Sequence, residues 1–299
     1  MDLNILKQRA KAFDYLFDAV VVTDIQGFII DWNKGSKDLY GYSKSEAIGQ
    51  DVSMLHVPED IEHVTAEVIA SVEKMGKWSG EVRMLHKNGQ IGWIESMCVP
   101  IFDDANNMIG ALGINRDITE RKKEQERLHN LAHYDHLTAI PNRYLLLDRL
   151  EHLIAQSERG TSEFSLLYMD LNEFKLINDT KGHAFGDQLL KEVALRLTQL
   201  IRKSDTFARL GGDEFVFLLE NASQKHDLAV KVEMILKEFD RDFLINGEAI
   251  NVGCSIGIAT YPADGSTIED LLATGDAAMY KAKQNDLGSY QFKSDLKNV

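Results

Sequence analysis

The chain has 299 residues, a formal net charge of −14, and apolar and charged fractions of 44% and 27%. That length suffices for two domains with separate cores, and the acidic balance excludes a nucleic-acid partner, which would need a basic surface. A bound anionic nucleotide stays compatible, because cations and a local basic pocket reverse the sign at one site. No run approaches the ~18 apolar residues of a membrane span. Met1-Asp2-Leu3-Asn4-Ile5-Leu6-Lys7 lacks a signal-peptide core, so a cytoplasmic protein with no membrane partner is expected. Cys98 and Cys254 lie in separate apolar strand-like runs and read as buried free thiols.

Leu3, Leu6, Ala10, Phe13 and Phe17 recur at helical spacing and predict an opening amphipathic helix. Ala19-Val20-Val21-Val22-Thr23 and Phe28-Ile29-Ile30-Asp31-Trp32 flank Asp24-Ile25-Gln26-Gly27, a hairpin pattern. Ser43-Lys44-Ser45-Glu46 is a capping box opening a short helix closed by Gly49. Glu59 to Met75 reads as a longer helix stopped by Gly76. Trp78 to His86 and Gln90 to Phe102 read as strands joined at Asn88-Gly89, and Met108 to Ile114 as another strand.

This order resembles a PAS domain. The likeness is carried by Asp31-Trp32-Asn33, Leu39-Tyr40-Gly41-Tyr42, Pro58-Glu59-Asp60, Gly76-Lys77-Trp78-Ser79-Gly80-Glu81 and Asp117-Ile118-Thr119-Glu120-Arg121. It implies an antiparallel sheet with flanking helices and a sensory role, spanning 13–118 after an N-terminal helix at 1–12. Haem-binding relatives place a histidine in the long helix. Here His63 falls about half a turn early and Thr65 takes the expected place, which disfavours haem. No cysteine sits in a photoreactive flavin motif; a bound flavin or no ligand at all stays open. Trp32, Trp78 and Trp93 read as packing residues.

Residues 119–133 are strong helix formers of mixed charge without Pro or Gly, predicting one continuous helix between the domains. Ile118, Leu128 and Ala132 fit a heptad seam, whereas Arg121 and Gln125 interrupt it. A weak coiled coil at a signalling joint and a solvated spacer are both compatible.

Beyond it, 134–299 alternates. Helices are expected near 142–157, 173–179, 186–202, 224–239 and 267–283, with strands at 164–170 and 250–260 and a hairpin over 206–219. That is an α/β domain. Phe164 to Met169 is an apolar run delivering Asp170 at its end. Arg209-Leu210-Gly211-Gly212-Asp213-Glu214-Phe215 sets two carboxylates just after a Gly-Gly turn. Adjacent strand residues face opposite ways, so both acids reach one site only if the turn distorts the pleat. Carboxylates on neighbouring strands beside glycines suit a hard cation carrying a polyphosphate.

Asp135-His136-Leu137-Thr138-Ala139-Ile140-Pro141-Asn142-Arg143, the segment from Asp170 to Asp187, and Gly211-Gly212-Asp213-Glu214-Phe215 together resemble a GGDEF domain, a diguanylate cyclase. The resemblance implies a palm-like α/β fold. It implies condensation of two GTP into cyclic di-GMP with loss of two pyrophosphates, Mg²⁺ or Mn²⁺ as cofactor, and a homodimer. It places Asp170, Leu171 and Asp213 at the metal, and Glu214, Asp213 and Lys175 in the catalytic set, Glu214 as metal ligand or base. Phe174, Lys175, Gly211, Gly212 and Lys283 would meet the phosphates. Asn178 and Asp187 would read guanine, Asn178 alternatively being a helix C-cap. Arg202 and Asp205 match the product-inhibition site, making cyclic di-GMP an expected feedback inhibitor. His183, Asn142, Arg143 and Arg209 read as structural. One departure stands out: Asp286-Leu287-Gly288 puts Leu287 where the family carries a cationic residue. Two rival readings stay open, a degenerate domain that only senses GTP or cyclic di-GMP, and a scaffold whose PAS domain recruits a partner.

Overall fold

The structure, a computed structural model, describes residues 3–160, 163–285 and 289–295. The chain divides into two units, Met1–Arg127 and Leu128–Val299.

Unit 1 opens with α1 (Leu3–Asp14), whose side chains are all outside the core. Then come β1 (Ala19–Asp24), β2 (Ile29–Trp32), α2 (Lys34–Tyr40), α3 (Lys44–Ala47), α4 (Ile61–Met75), β3 (Trp78–Leu85), β4 (Ile91–Phe102) and β5 (Met108–Asp117). The strands form one antiparallel sheet in the order β2-β1-β5-β4-β3. Asn33 ties the motif around it together. Its Oδ1 accepts from Ser36 N at 2.8 Å, capping α2, and from Val20 N at 2.9 Å. The expected capping box forms, with Glu46 accepting from Ser43 N at 2.9 Å. Trp32 and Trp78 are buried core residues, and Trp93 is half-buried beneath Lys122. The His63 side chain is 84% exposed. The last strand runs three residues past the predicted end at Ile114. Asn115, Arg116 and Asp117 keep pairing with Ser96, Glu95 and Ile94, while Arg116 holds Asp18 at 2.8 and 3.0 Å.

Helix α5 (Thr119–His133) is continuous, and no side chain on it is buried. Ile118, just before it, is 4% exposed and belongs to the unit 1 core, so it is not free for a helical seam. The division between the units falls inside this helix.

Unit 2 comprises α6 (Arg143–Ser157), β6 (Phe164–Leu171), α7 (Phe174–Lys181), α8 (His183–Thr198), β7 (Thr206–Gly211), β8 (Glu214–Glu220), α9 (Lys225–Glu238), β9 (Phe243–Ile245), β10 (Glu248–Ile250), β11 (Cys254–Tyr261), α10 (Ile268–Asn285) and β12 (Tyr290–Phe292). The main sheet runs β12-β11-β6-β8-β7, with only the β11–β12 pair parallel. Every residue of the central strand β6 is buried. Strand alternation sends Leu167, Met169 and Leu171 into one core with residues of α8 and α9. Phe164, Leu166 and Tyr168 enter a second core with residues of α6 and α10. Helix α10 lies close on β11 because Gly257 is bare. A Cβ there would stand 2.0 Å from Gly275 O and 2.2 Å from Met279 N. Cys254 is buried, as expected of a free thiol, and Cys98 is half-buried. Among the described residues no helix is long and apolar enough to cross a membrane.

Candidate active site

Asp170 is the penultimate residue of β6 and lies between two partners, Glu214 on β8 and Ser255 on β11. It shares its face with Tyr168 and Glu214, the face covered by α6 and α10. Asp213 lies in the turn, outside the regular pleat. The β7–β8 register shifts between Arg209 and Gly211. Gly211 and Gly212 take φ of 152° and 53°, backbone that favours glycine. This distortion is what lets both acids share an edge. The Asp213 carbonyl accepts from Leu171 N at 3.3 Å, which seats the turn against the end of β6.

Crowding sets the electrostatics. Burial raises the Asp213 pKa above its ordinary value, and the Asp170 charge adds to it. Burial likewise raises Glu214; a Tyr168 hydrogen bond opposes, while the charges of Asp276, Asp170 and Asp213 add. Lys283, on α10, donates to Asp170 Oδ1 at 2.5 Å and supplies one local cation. The Leu171 side chain is fully buried in the α8–α9 core, so only its backbone carbonyl remains to meet a metal.

The turn is braced from below. Arg209 is 9% exposed and donates to Gly212 O at 2.7 and 3.0 Å and to Asp135 Oδ1 at 2.9 Å. Asp135 Oδ1 also accepts from Thr138 N and Oγ1 at 2.9 and 2.6 Å. Burial alone would raise the Asp135 pKa, but the Thr138 and Arg209 bonds hold it below the usual value. Arg209 is thus the structural ion pair expected, and the Asp135 block acquires a purpose the sequence did not reveal. Asn142 caps α6, accepting from Leu145 N at 3.0 Å.

Phe174 and Lys175 open α7, Phe174 buried and Lys175 exposed. The preceding Glu173 adopts a left-handed φ of 56° and makes no side-chain cap, leaving the first-turn N–H groups without that partner. Asn178 sits mid-helix rather than at a C-cap; Gly182 closes α7 by donating to Asn178 O at 2.9 Å. Asn178 Oδ1 is buried without a protein partner. It packs on Gly186 of α8, where a Cβ would stand 1.9 Å from that oxygen. Asp187, next along α8, is exposed, as is His183 at the helix start.

Two neighbours escaped the sequence reading. Tyr168 could have been found by parity, two residues before Asp170 on the same face. Asp276 lies on a separate helix and left no such signal. The Arg202–Asp205 turn closes on itself: Arg202 N donates to the buried Asp205 Oδ2 at 3.2 Å, and Asp205 N to Arg202 O at 3.0 Å. Both residues line a groove of about 580 Å³ together with Lys231. Leu287 lies outside the described residues.

An α/β sheet with Asp170 and Glu214 paired on neighbouring strands, and Asp213 in the Gly-Gly turn beside them, fits a nucleotidyl-cyclase-type domain. The diguanylate cyclase GGDEF domain family matches residues 132–288, just over half of the chain, and the PAS fold family matches residues 29–115. The chain belongs to the GGDEF diguanylate cyclase family and carries a PAS domain ahead of it. Over 181 residues it is 45% identical to the bifunctional diguanylate cyclase/cyclic di-GMP phosphodiesterase MucR of Pseudomonas aeruginosa, covering 60% of this chain and 26% of that protein. Over 273 residues it is 31% identical to the cyclic di-GMP phosphodiesterase PdeR of Escherichia coli, covering 91% of this chain and 41% of that protein. The chain therefore spans well under half the length of either relative. Among solved structures, the GGDEF domain of TpbB (YfiN) from Pseudomonas aeruginosa superposes with a TM-score of 0.52 at 35% identity. That match covers 54% of this chain and 94% of that one.

Proposed function

We propose that unit 2 is a diguanylate cyclase, condensing two GTP into cyclic di-GMP under control of the PAS unit. The observation that carries this is the shared edge of Asp170, Asp213 and Glu214, with Lys283 beside it and Arg209 fixing the turn.

The donor set fits Mg²⁺ or Mn²⁺. Among the described residues no three His, Cys, Asp or Glu side chains converge as a ready-made cage. Mg²⁺, however, is usually held by one or two carboxylates together with substrate phosphates. Asp170, Asp213 and the Leu171 carbonyl would supply the protein share, and the Lys283 ammonium on Asp170 marks where positive charge is wanted. When bound, the ion neutralises triphosphate charge and polarises the phosphorus–oxygen bonds.

The remaining work falls to the chain. The first turn of α7, with Phe174 and Lys175, receives phosphate oxygens, and Gly211-Gly212 lets the nucleotide approach the backbone. Asn178 and Asp187 read the guanine edge. Asp187 accepts from the ring N1–H and the exocyclic amine, which favours GTP over ATP. Each domain would hold one GTP, and two chains would meet face to face. The 3′-hydroxyl of one nucleotide attacks the α-phosphorus of the other: the O3′–P bond forms, the bond to pyrophosphate breaks, and Glu214 is the candidate to take the hydroxyl proton. Positioning supplies most of the acceleration. The groove at Arg202 and Asp205 would bind product as feedback, Arg202 contributing a guanidinium for phosphate.

A second reading, a receptor that binds GTP or cyclic di-GMP without turnover, draws on Leu287 and on PdeR, a phosphodiesterase by name that matches most of this chain. Purified full chain with GTP and Mg²⁺, products separated by chromatography, distinguishes them. Cyclic di-GMP from wild type but not from Asp213→Ala supports the cyclase. Bound GTP with no product supports the receptor.

A further inference from the structure

Unit 2 begins at Leu128, so it includes the last turn of α5 with His129 and His133. A spacing of four puts these two side chains on one face of the helix. Their rings stack, with centroids 4.3 Å apart and an interplanar angle of 23°. His133 is held in that pose. Its Nδ1 lies 2.8 Å from His129 O, and Tyr144 of α6 meets its ring edge-on at 5.5 Å. Neither the core of the unit nor the nucleotide chemistry proposed for it uses the pair; His129 is exposed and His133 half-buried.

A carbonyl oxygen only accepts, so the Nδ1 of His133 carries the proton and its Nε2 keeps a lone pair. An Nδ1–H donated to a backbone carbonyl is the arrangement that orients a metal-ligating histidine and raises its basicity. The ring spacing fits as well. A tetrahedral ion with Zn–N bonds of about 2.0–2.1 Å holds the centroids of two ligating imidazoles about 5 Å apart. The stacked pair needs to open by less than about 1 Å to reach that separation, on a face open to solvent. Imidazole nitrogens suit Zn²⁺, Cu²⁺ and Ni²⁺, whereas Mg²⁺ takes oxygen ligands. Among the described residues no third His, Cys, Asp or Glu converges with the pair, which leaves the other coordination positions to water.

The location gives a bound ion leverage. Asn142, the cap of α6, donates from N to His133 O and from Nδ2 to Ala132 O, each at 2.9 Å. Pro141 O accepts from Arg209 N at 2.9 Å. An ion bridging the two rings would staple the helical turn that residues 141–142 tie to the strand entering the Gly-Gly turn.

We infer that His129 and His133 form a two-histidine site for a divalent transition-metal ion of the Zn²⁺ class at the end of α5. This site stands independently of whether unit 2 turns GTP over.

The test titrates the full chain with Zn²⁺ by calorimetry, with excess Mg²⁺ present to occupy the carboxylates of the candidate active site. His129→Ala and His133→Ala should each weaken Zn²⁺ binding by tenfold or more, since loss of a mere outer-shell partner already costs roughly 10–100-fold. His136→Ala, at a side chain 85% exposed and beyond the helix, should leave the affinity unchanged. One equivalent of Cu²⁺, which binds nitrogen sites more tightly than Zn²⁺, adds a direct readout of ligation. Its electron-spin spectrum should show two coupled imidazole nitrogens in wild type and no more than one in either variant. The wild-type spectrum decides alone should a variant fail to fold. Unchanged Zn²⁺ affinity in either His129→Ala or His133→Ala, a loss in His136→Ala instead, or a wild-type Cu²⁺ spectrum without two coupled nitrogens would overturn the inference.

Discussion

Asp213 concentrates the electrostatic crowding of the candidate site in one side chain. Its raised pKa means that the native state binds more protons than the unfolded chain between the ordinary and the raised value. Stability therefore falls as pH rises through that window, and the loss persists at neutral pH. Without metal, Asp213→Asn should raise Tm at pH 7, with little change below the carboxylate range. Added Mg²⁺ should then stabilise wild type and not the variant; equal stabilisation of both would remove Asp213 from the metal. Tyr168 is open to a kinetic test. Its hydrogen bond holds the Glu214 pKa down against burial, so Tyr168→Phe should push it further up. If Glu214 is the base, the acidic limb of the pH profile of kcat/KM moves to higher pH. An unmoved limb would leave Glu214 without that role. Gly186→Ala would drive a methyl into Asn178 Oδ1 and should weaken GTP binding by on the order of tenfold, the loss of about one hydrogen bond with some strain. At this scale Asp213 and Glu214 stood out because their motif is compact in sequence, and Asp170 because it closes an apolar run. The Asp135–Arg209 brace was not, since its partners lie 74 residues apart.

Elements were legible wherever hydrophobic periodicity was long. Helices α4, α6 and α10 and the buried strand β6 fall close to their expected bounds, because a period of 3.6 or an unbroken apolar run leaves little choice. The hairpin of β9 and β10 was missed although Asn246-Gly247 marks its turn; strands of three residues give no periodicity to read. The polar end of β5 was missed because Asn115 and Arg116 do not look like strand residues, and their pairing is supplied by Ser96, Glu95 and Asp18. Helix α8 starts three residues before its predicted start at 186, since Gly182 both closes α7 and opens α8. The cap on α6 gives a local test: Asn142→Ala should cost about 1 kcal/mol, seen as a Tm lower by a few degrees. An unchanged Tm would show that the cap bond is not a stabilising contact.

For the molecule as a whole, the proposed regulation by the PAS unit would run through α5, which carries the chain from one unit into the other without Pro or Gly. Insertions of one to four residues within Thr119–His133 rotate the downstream chain about the helix axis by ~100° per residue. Cyclase activity should vary with insert length at the helical period, a four-residue insert being milder than a two-residue one. A flat response would remove α5 from the regulation. Two domains and their order were readable because each carries several ordered motifs. The cyclase assignment is reached most directly by the stoichiometry of GTP turnover against Mg²⁺ concentration, in wild type and Asp213→Ala. Wild type should release two pyrophosphates per cyclic di-GMP in a Mg²⁺-dependent reaction, and the variant should lose on the order of 10²-fold or more of that rate. GTP bound equally by both proteins, with no pyrophosphate from either, would contradict the assignment.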